Sequence, residues 1–188
     1  TLPASTTSDR FYMLDADRKV IDTLGVMPSV AKTEMQPSNG IYQSTISISP
    51  NSNNVVTACV NFEVIDIYDE SMKLVCSLRG PYGVNSGVEK RNIGTGYQIV
   101  NKPLWDTFSN VISTNDTFWV GFIGENPQNS NELAQVGINK ILSFNWNGKA
   151  LKAYNLPKKI IAFDIDHKNN KLYGITNDAE PQIVIYNL

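Results

Sequence analysis

One short pattern repeats along the chain and limits what the chain can fold into. An apolar or aromatic residue is followed by Asp or Asn, then by a short turn, then by Lys. The three full copies are Leu14-Asp15 with Lys19, Tyr68-Asp69 with Lys73, and Phe144-Asn145 with Lys149, and Tyr186-Asn187 begins a fourth. An Asp or Asn side chain can bond the backbone two residues later, so each copy predicts the turn of a β-hairpin.

The segments around these turns have the composition of β-strands. Short runs rich in Val, Ile, Tyr, Phe and Thr alternate with clusters of Asn, Gly, Pro, Asp and Lys. Only residues 103–111 have a modest helical spacing of apolar residues, and this stretch is short and lacks a clear cap. The sequence therefore predicts an all-β fold.

A second hairpin precedes the repeated turn. Residues 165–173 align without gaps with residues 48–56, and residues 112–119 match them with a turn that is one residue shorter. Each unit then has four strands running up and down. The predicted strands are 43–49, 54–61, 63–68 and 72–78 in one unit, and 108–113, 117–123, 139–145 and 149–156 in the next.

Such a unit cannot bury both faces alone and must stack on its neighbours, as the blades of a β-propeller do. The predicted single domain or half-domain has a tail, a partial blade, two complete four-stranded antiparallel blades and a three-stranded last blade. These segments are 1–9, 10–24, 43–78, 108–156 and 160–188. About three and a half blades are too few for a typical ring, so we expect the C-terminal half of a larger propeller.

Composition excludes several functions. The chain has 188 residues, of which 41% are hydrophobic and 18% are charged, which is enough for a core. A net charge of -2 means that the chain has no excess of basic residues for binding nucleic acid or an anionic membrane. The apolar runs fall far short of the roughly 20 residues that span a bilayer. One His and two Cys cannot build a multi-histidine or zinc-ribbon site, and no cofactor or metal is expected.

The chain resembles a known family in its strand and turn residues. Its N-terminal half is similar to TolB-like six-bladed β-propeller proteins of bacterial cell envelopes. The residues that carry this similarity are the run from Phe11 to Asp15, then Lys19, Gly25 and Pro28, then Tyr42-Gln43, and then Arg79-Gly80-Pro81. The segments 141–149, 154–156, 165–166 and 172–175 look like that family's final blades. The resemblance implies a six-bladed ring and export to the periplasm or cell surface, often as a lipoprotein, and it supplies no catalytic residue.

Few side chains suggest catalysis. His167 lies beside Asp166 in a predicted turn, where a structural role is favoured over proton transfer. Cys59 and Cys76 are assigned to the second and fourth strands of one blade. Two strand spacings of about 4.8 Å separate them, more than a disulfide allows, so free buried thiols are expected.

Other groups have structural explanations. The acidic pairs Asp66 with Asp69-Glu70 and Asp178 with Glu180 lack the ligand spacing of a known calcium loop. Most aromatic residues fall within strands, where packing between blades accounts for them. The exceptions are Trp105, Tyr82 and Tyr97.

Loop length distinguishes one end of the predicted blades. The connections 25–42, 79–107 and 124–138 are long and polar and lie at the same end, opposite the short hairpin turns. We predict a binding face there for a protein or glycan. Its candidate residues are Tyr42, Arg79, Tyr82, Arg91, Tyr97, Trp105, Glu125, Asn126 and Glu132.

Two functions are compatible with this sequence. The first is a non-enzymatic binding or scaffolding propeller of the bacterial cell envelope. The alternative is a carbohydrate-active hydrolase or lyase with carboxylates and Tyr near the central channel, an analogy from fold alone. In either case an open edge at Ile183–Tyr186 is expected to pair with a missing N-terminal half or a second copy, because unpaired strand edges invite association.

Overall fold

The computed structural model describes residues 9–26, 43–80, 87–92, 94, 97–102, 106–125, 136–176 and 178–188. Every regular element in these ranges is a β-strand, and all strand pairs are antiparallel. Within the described part of the chain there is accordingly no helix that could cross a membrane.

A four-stranded sheet forms the middle of the described structure. Its strands follow one another in chain order and are β3 (Ser44–Ile48), β4 (Val55–Cys59), β5 (Val64–Tyr68) and β6 (Leu74–Arg79). Before it in sequence lies a separate hairpin of β1 (Asp9–Leu14) and β2 (Val20–Val26). These positions agree with the predicted strands to within one or two residues.

A hairpin that the sequence analysis did not predict follows the four-stranded sheet. Its strands are β7 (Gly87–Asn92) and β8 (Tyr97–Lys102), and they form a two-stranded sheet of their own. The treatment of residues 79–107 as one long connection was therefore wrong in this respect. The helical spacing at 103–111 is also overridden, because a strand begins at Asp106.

A six-stranded sheet contains the rest of the described chain. Its strands are β9 (Asp106–Ser113), β10 (Thr117–Glu125), β11 (Ile138–Asn145), β12 (Ala150–Asp166), β13 (Lys171–Thr176) and β14 (Ile183–Asn187), hydrogen-bonded in that order. From the sequence, a strand at 149–156 and a separate last blade beginning at residue 160 are predicted, whereas the structure has one continuous strand β12. In the structure, hydrogen bonding continues through both parts.

The chain nevertheless folds back within β12. The rings of Tyr154 and His167 have their centroids 5.7 and 6.0 Å from that of Trp119. Thirteen residues of extended strand would span roughly 43 Å, so both rings cannot lie beside one Trp unless the chain reverses. The pairing between β11 and β12 is irregular at this place. Ile138 lies opposite Ile160, and Lys140 lies opposite Asn155, so β12 has more residues than β11 between these two pairs. The extra residues of β12 can form the bend.

The sheets stack face to face around two cores. One core joins β4 and β5 to β9, β10 and β11, and includes Val56, Ile67, Phe118 and Val120. The other packs the opposite face of β10 and β11 against the second half of β12 and against β13. Strand β9 also lies alongside β3, β4 and β12, so the first strands of successive sheets are neighbours, as in propeller blades.

The fold-class prediction is therefore confirmed as an all-β structure of stacked antiparallel sheets, consistent with part of a β-propeller. A ring of six blades remains a prediction from the resemblance.

The repeated turn has one geometry in all three copies. Backbone amides of Asp15, Asp69 and Asn145 donate to the carbonyls of Lys19, Lys73 and Lys149 over 2.9 to 3.0 Å. In return the Oδ1 atom of each Asp or Asn accepts from the amide of the Lys at 2.9 Å. The residue before the Lys has a positive φ, with values of 63° at Arg18, 58° at Met72 and 80° at Gly148.

Candidate functional site

The structure describes only part of the predicted binding face. Of the nine candidate residues, Arg79 has a described side chain, and it is exposed at the end of β6. The backbone places Arg91 in β7, Tyr97 in β8 and Glu125 at the end of β10. The other five lie outside the described residues and are Tyr42, Tyr82, Trp105, Asn126 and Glu132. Their convergence on one site stays a prediction.

Arg91 and Tyr97 lie close to the tip of the β7–β8 hairpin. Arg91 is in register with Gln98, and Asn92 is in register with Tyr97. The amide of Gly94, which has a φ of 81°, donates to Asn92 Oδ1 at 2.8 Å. An Asn side chain that accepts from the amide two residues later and a Gly with a positive φ are both features of turns, so Asn92 and Gly94 could have predicted a turn here.

Glu63 and Gly80 make a close contact where β5 begins and β6 ends. The amide of Gly80 donates to the carbonyl of Glu63 at 2.9 Å. A Cβ atom at position 80 would lie 2.5 Å from the Glu63 Cβ, which no side chain could tolerate without movement. Glycine at this position therefore lets the Glu63 side chain lie against the backbone, and Glu63 is only 6% exposed.

Beside this contact lies a cleft of about 340 Å³ between the sheet β3–β6 and the strands β9–β12. It runs from Glu63 and Gly80 to Gly148, at the opposite turn. Most of its lining residues are apolar, and Leu78 and Phe144 face each other across it from the two sheets. No local sequence pattern predicts this cleft, because its walls come from strands that are far apart in the chain.

The start of β9, at the same end of the sheets, has a half-buried Asp106 followed by a buried Thr107. Burial raises the pKa of the Asp106 carboxyl. The neighbouring Thr107 is fully buried, and its amide donates to the Val60 carbonyl at 2.6 Å. These contacts join the end of one sheet to the start of the next.

His167 and Asp166 occupy the turn between β12 and β13, as predicted. Asp166 Oδ1 accepts from the Asn169 amide at 3.0 Å, and Asp166 Oδ2 accepts from Asn169 Nδ2 at 2.7 Å. These bonds are the main reason that the pKa of Asp166 is lowered. The Asp therefore shapes the turn, and the exposed His167 ring lies near Trp119.

The two cysteines are free thiols separated by β5, which confirms that prediction. Cys59 is buried, whereas Cys76 is half-buried, which differs from the expectation that both are buried. The pKa of Cys76 is raised, mainly by burial and secondarily by the charge of Asp66.

The acidic pairs of the sequence do not converge on a metal site. Asp66 is buried within β5, whereas Asp69 forms the following turn and Glu70 is exposed. Asp178 and Glu180 are both exposed. Over the ranges described above, no three His, Cys, Asp or Glu side chains come close enough to hold a metal ion.

The aromatic residues in the strands form the cores, as predicted. Phe118 stacks on Phe144 with ring centroids 5.3 Å apart, and the Trp146 ring lies at the same distance from Phe118. The Trp146 indole donates to the Thr114 carbonyl at 3.2 Å. These contacts assign the rings to packing between strands.

Comparison with known proteins identifies no family. No family model matches the chain, and no curated protein matches it. Among solved structures, BamB from Moraxella catarrhalis matches with a TM-score of 0.33 and 10% sequence identity. The match covers 78% of this chain and 44% of that one, so it spans less than half of BamB. Such a TM-score does not establish a shared fold, and the fold assignment rests on the strand order and packing described above.

Proposed function

We propose that the chain is a non-enzymatic binding or scaffolding module that recognises a protein or glycan through the end bearing residues 25–42, 79–107 and 124–138. The observation that supports this most directly is the β7–β8 hairpin. It forms a separate two-stranded sheet between the end of β6 and the start of β9. The hairpin supplies no strand to the sheet before it or to the sheet after it. Its residues can therefore serve recognition without a role in holding those sheets together.

The residues at the hairpin tip suit this role. Arg and Tyr are enriched where proteins bind one another, because Arg makes several hydrogen bonds and Tyr combines an apolar ring with a polar tip. The register places Arg91 opposite Gln98 and Tyr97 opposite Asn92, so both residues lie next to the turn at the hairpin tip. We place the module in the bacterial cell envelope, as an exported protein, on the basis of the TolB-like resemblance.

Capture of a partner from an envelope extract tests this proposal. In one variant a short Gly-Ser linker replaces residues 87–102, and in another Arg91, Tyr97 and Trp105 become Ala. Both variants should unfold at the temperature of the unmodified chain but lose the captured partner. The matched control is Lys168→Ser, which changes an exposed residue in the turn at the other end of the blades. Capture that survives both changes at the hairpin would contradict the assignment.

We further propose that the β14 edge pairs with a fourth strand, from a second copy or from a segment outside these 188 residues. Within the described structure, β14 is hydrogen-bonded to β13 alone. Two of its side chains, Ile183 and Ile185, are 73% and 55% exposed. An exposed apolar edge of this kind favours strand addition.

Light scattering across a range of concentrations tests the edge. We expect the 188-residue chain to self-associate as concentration rises, and Ile185→Lys to reduce this association, because a charge on an edge strand opposes pairing. Ile175→Lys is the control, since Ile175 is also exposed and lies in β13, which is hydrogen-bonded to β12 on one side and to β14 on the other. A chain that remains monomeric throughout would rule out pairing between copies.

A further inference from the structure

One segment of the chain is strongly basic. Residues 133–163 contain five Lys and no Asp, Glu or Arg, so the net charge of this segment is +5. Because the whole chain has a net charge of -2, the residues outside the segment have a net charge of -7. The small net charge of the chain therefore conceals a separation of positive from negative charge.

The basic segment forms an open strand edge. Residues 150–155 pair with β11 alone, and β13 pairs only with later residues of β12, so within the described structure no strand lies on their other side. Lys149, Lys152 and Lys158 are exposed along this stretch. Nine residues of strand span at most roughly 30 Å. We call residues 149–158 the basic edge.

Protection of the edge against aggregation does not explain this number of lysines. A Lys on an edge strand does oppose unwanted pairing. Strand β6 has the equivalent outer position in its own sheet, and its cations, Lys73 and Arg79, lie only at its two ends. Its turn also contains Asp69 and Glu70, whereas the turn at 145–149 contains no acidic residue. The basic edge therefore has more positive charge than its position in the fold requires.

The arrangement of charge fits a linear polymer better than a flat membrane. The cations follow a single strand, whereas Asp17 and Glu70 are exposed in the equivalent turns of two other sheets. These carboxylates would repel a broad anionic surface that reached them.

The chemistry of the basic edge fits a polysaccharide better than a nucleic acid. Bases of single strands stack on exposed aromatic rings, but the one aromatic side chain of the basic edge, Tyr154, is half-buried. Lys152 Nζ lies 5.7 Å from the centre of that ring. An open strand edge also presents N–H and C=O groups, and these can form hydrogen bonds with the hydroxyl groups of sugars.

We infer that the basic edge binds a linear acidic polysaccharide. Carboxylates of the polymer pair with Lys149, Lys152 and Lys158, and its hydroxyl groups bond the open side of the strand. The inference uses no residue of the β7–β8 hairpin or of the long connections. Its outcome is therefore independent of whether the hairpin captures a partner.

Calorimetric titration of the full 188-residue chain with oligogalacturonate tests the inference. We expect saturable binding that weakens as the NaCl concentration rises from about 0.05 to about 0.5 M, because salt screens exposed charges. Combined replacement of Lys149, Lys152 and Lys158 by Gln should lower the affinity by at least about fivefold, because three exposed ion pairs are lost.

The matched control replaces Lys19, Lys73 and Lys168 by Gln. These lysines are also exposed, so the control has the same net charge as the variant of the basic edge. It should keep its affinity to within about twofold, because distant exposed charges are screened. No binding of oligogalacturonate by the unmodified chain, or equal losses in the two triple variants, would overturn the inference.

A footprint on the unmodified chain gives a result even if a variant is poorly folded. Oligogalacturonate should slow the acetylation of Lys149, Lys152 and Lys158, measured by mass spectrometry, and leave Lys73 and Lys168 unchanged. Equal protection of all five would contradict a site at the basic edge.

Other polymers and surfaces test the class of ligand. At equal concentration of negative charge, vesicles of phosphatidylglycerol and duplex DNA should bind more weakly than oligogalacturonate, and neutral dextran should not bind. Tighter binding of the vesicles or of DNA would contradict the assignment of a polysaccharide.

Discussion

The turn at Asp69 offers a direct test of how the repeated pattern stabilises the fold. Asp69 Oδ1 accepts hydrogen bonds from the amides of Ser71 and Lys73, both at 2.9 Å. In the corresponding turn Asn145 Oδ1 accepts from Asn147 and Lys149, at 3.1 and 2.9 Å. Because a neutral amide replaces the carboxylate in that copy, the oxygen acceptor and not the charge should stabilise the turn.

Asp69→Ala removes both acceptor bonds. A hydrogen bond contributes a net 0.5 to 1.5 kcal/mol, and water can replace part of each bond in an exposed turn, so we expect a loss of about 1 to 2 kcal/mol. For a chain of this size, that loss lowers the unfolding temperature by about 2 to 8 °C. Asp69→Asn keeps the acceptor, as Asn145 does, and should change stability by less than about 0.5 kcal/mol.

Urea and thermal unfolding of the unmodified chain and the two variants give the comparison. We expect the free energy of unfolding of Asp69→Asn to be close to that of the unmodified chain, and that of Asp69→Ala to be clearly lower than both. If Asp69→Asn were as unstable as Asp69→Ala, the charge would be the stabilising feature and the reasoning would fail. It would fail equally if Asp69→Ala had no effect.

Three other outcomes follow from local geometry. Gly148→Ala should lower stability by about 2 kcal/mol in urea unfolding, because a side chain at a φ of 80° is strained and its Cβ would lie 2.8 Å from Cys76 Sγ. Alkylation of Cys76, followed by mass spectrometry, should have its pH midpoint above that of an exposed thiol. Asp66→Asn should lower this midpoint only partly, because burial is the larger cause. In an NMR titration Asn169→Ala should raise the pKa of Asp166, whose contribution to stability is lost as pH falls through its folded-state value.

Much of the fold was predictable because its turns are specified locally. Residues 48–56 and 165–173 align in sequence, and the structure gives their equivalent residues Asn53 and Asn170 nearly the same φ, 54° and 53°. The Ser52 amide bonds the Ser49 side chain just as Asn169 bonds Asp166. Short polar residues at fixed spacing therefore determine where each strand ends, whatever the distant parts of the chain do.

The remaining features depend on contacts between distant segments. The reversal within β12 becomes evident only from the positions of Tyr154 and His167 around Trp119. The cleft depends on the spacing between sheets, to which residues such as Leu78 and Leu142 contribute from opposite sides. Most of the predicted binding face lies outside the described residues, and its local patterns do not specify a ligand.

The stacking of the sheets relates the cleft to the hairpin. Strand β9 lies beside both β3 and β12, whereas residues of β6 and Ala150 at the start of β12 line the outer side of the cleft. Sheets that are close at their first strands and apart at their last strands leave wedge-shaped spaces at the outside. The chain must also pass from each outer strand to the first strand of the next sheet at one end. This connection can hold an insertion such as β7–β8 without disrupting the hydrogen bonding of either sheet. The strand before it, β6, is already paired with β5, and the strand after it, β9, is already paired with β10. The hairpin therefore occurs where the repeated architecture constrains the sequence least.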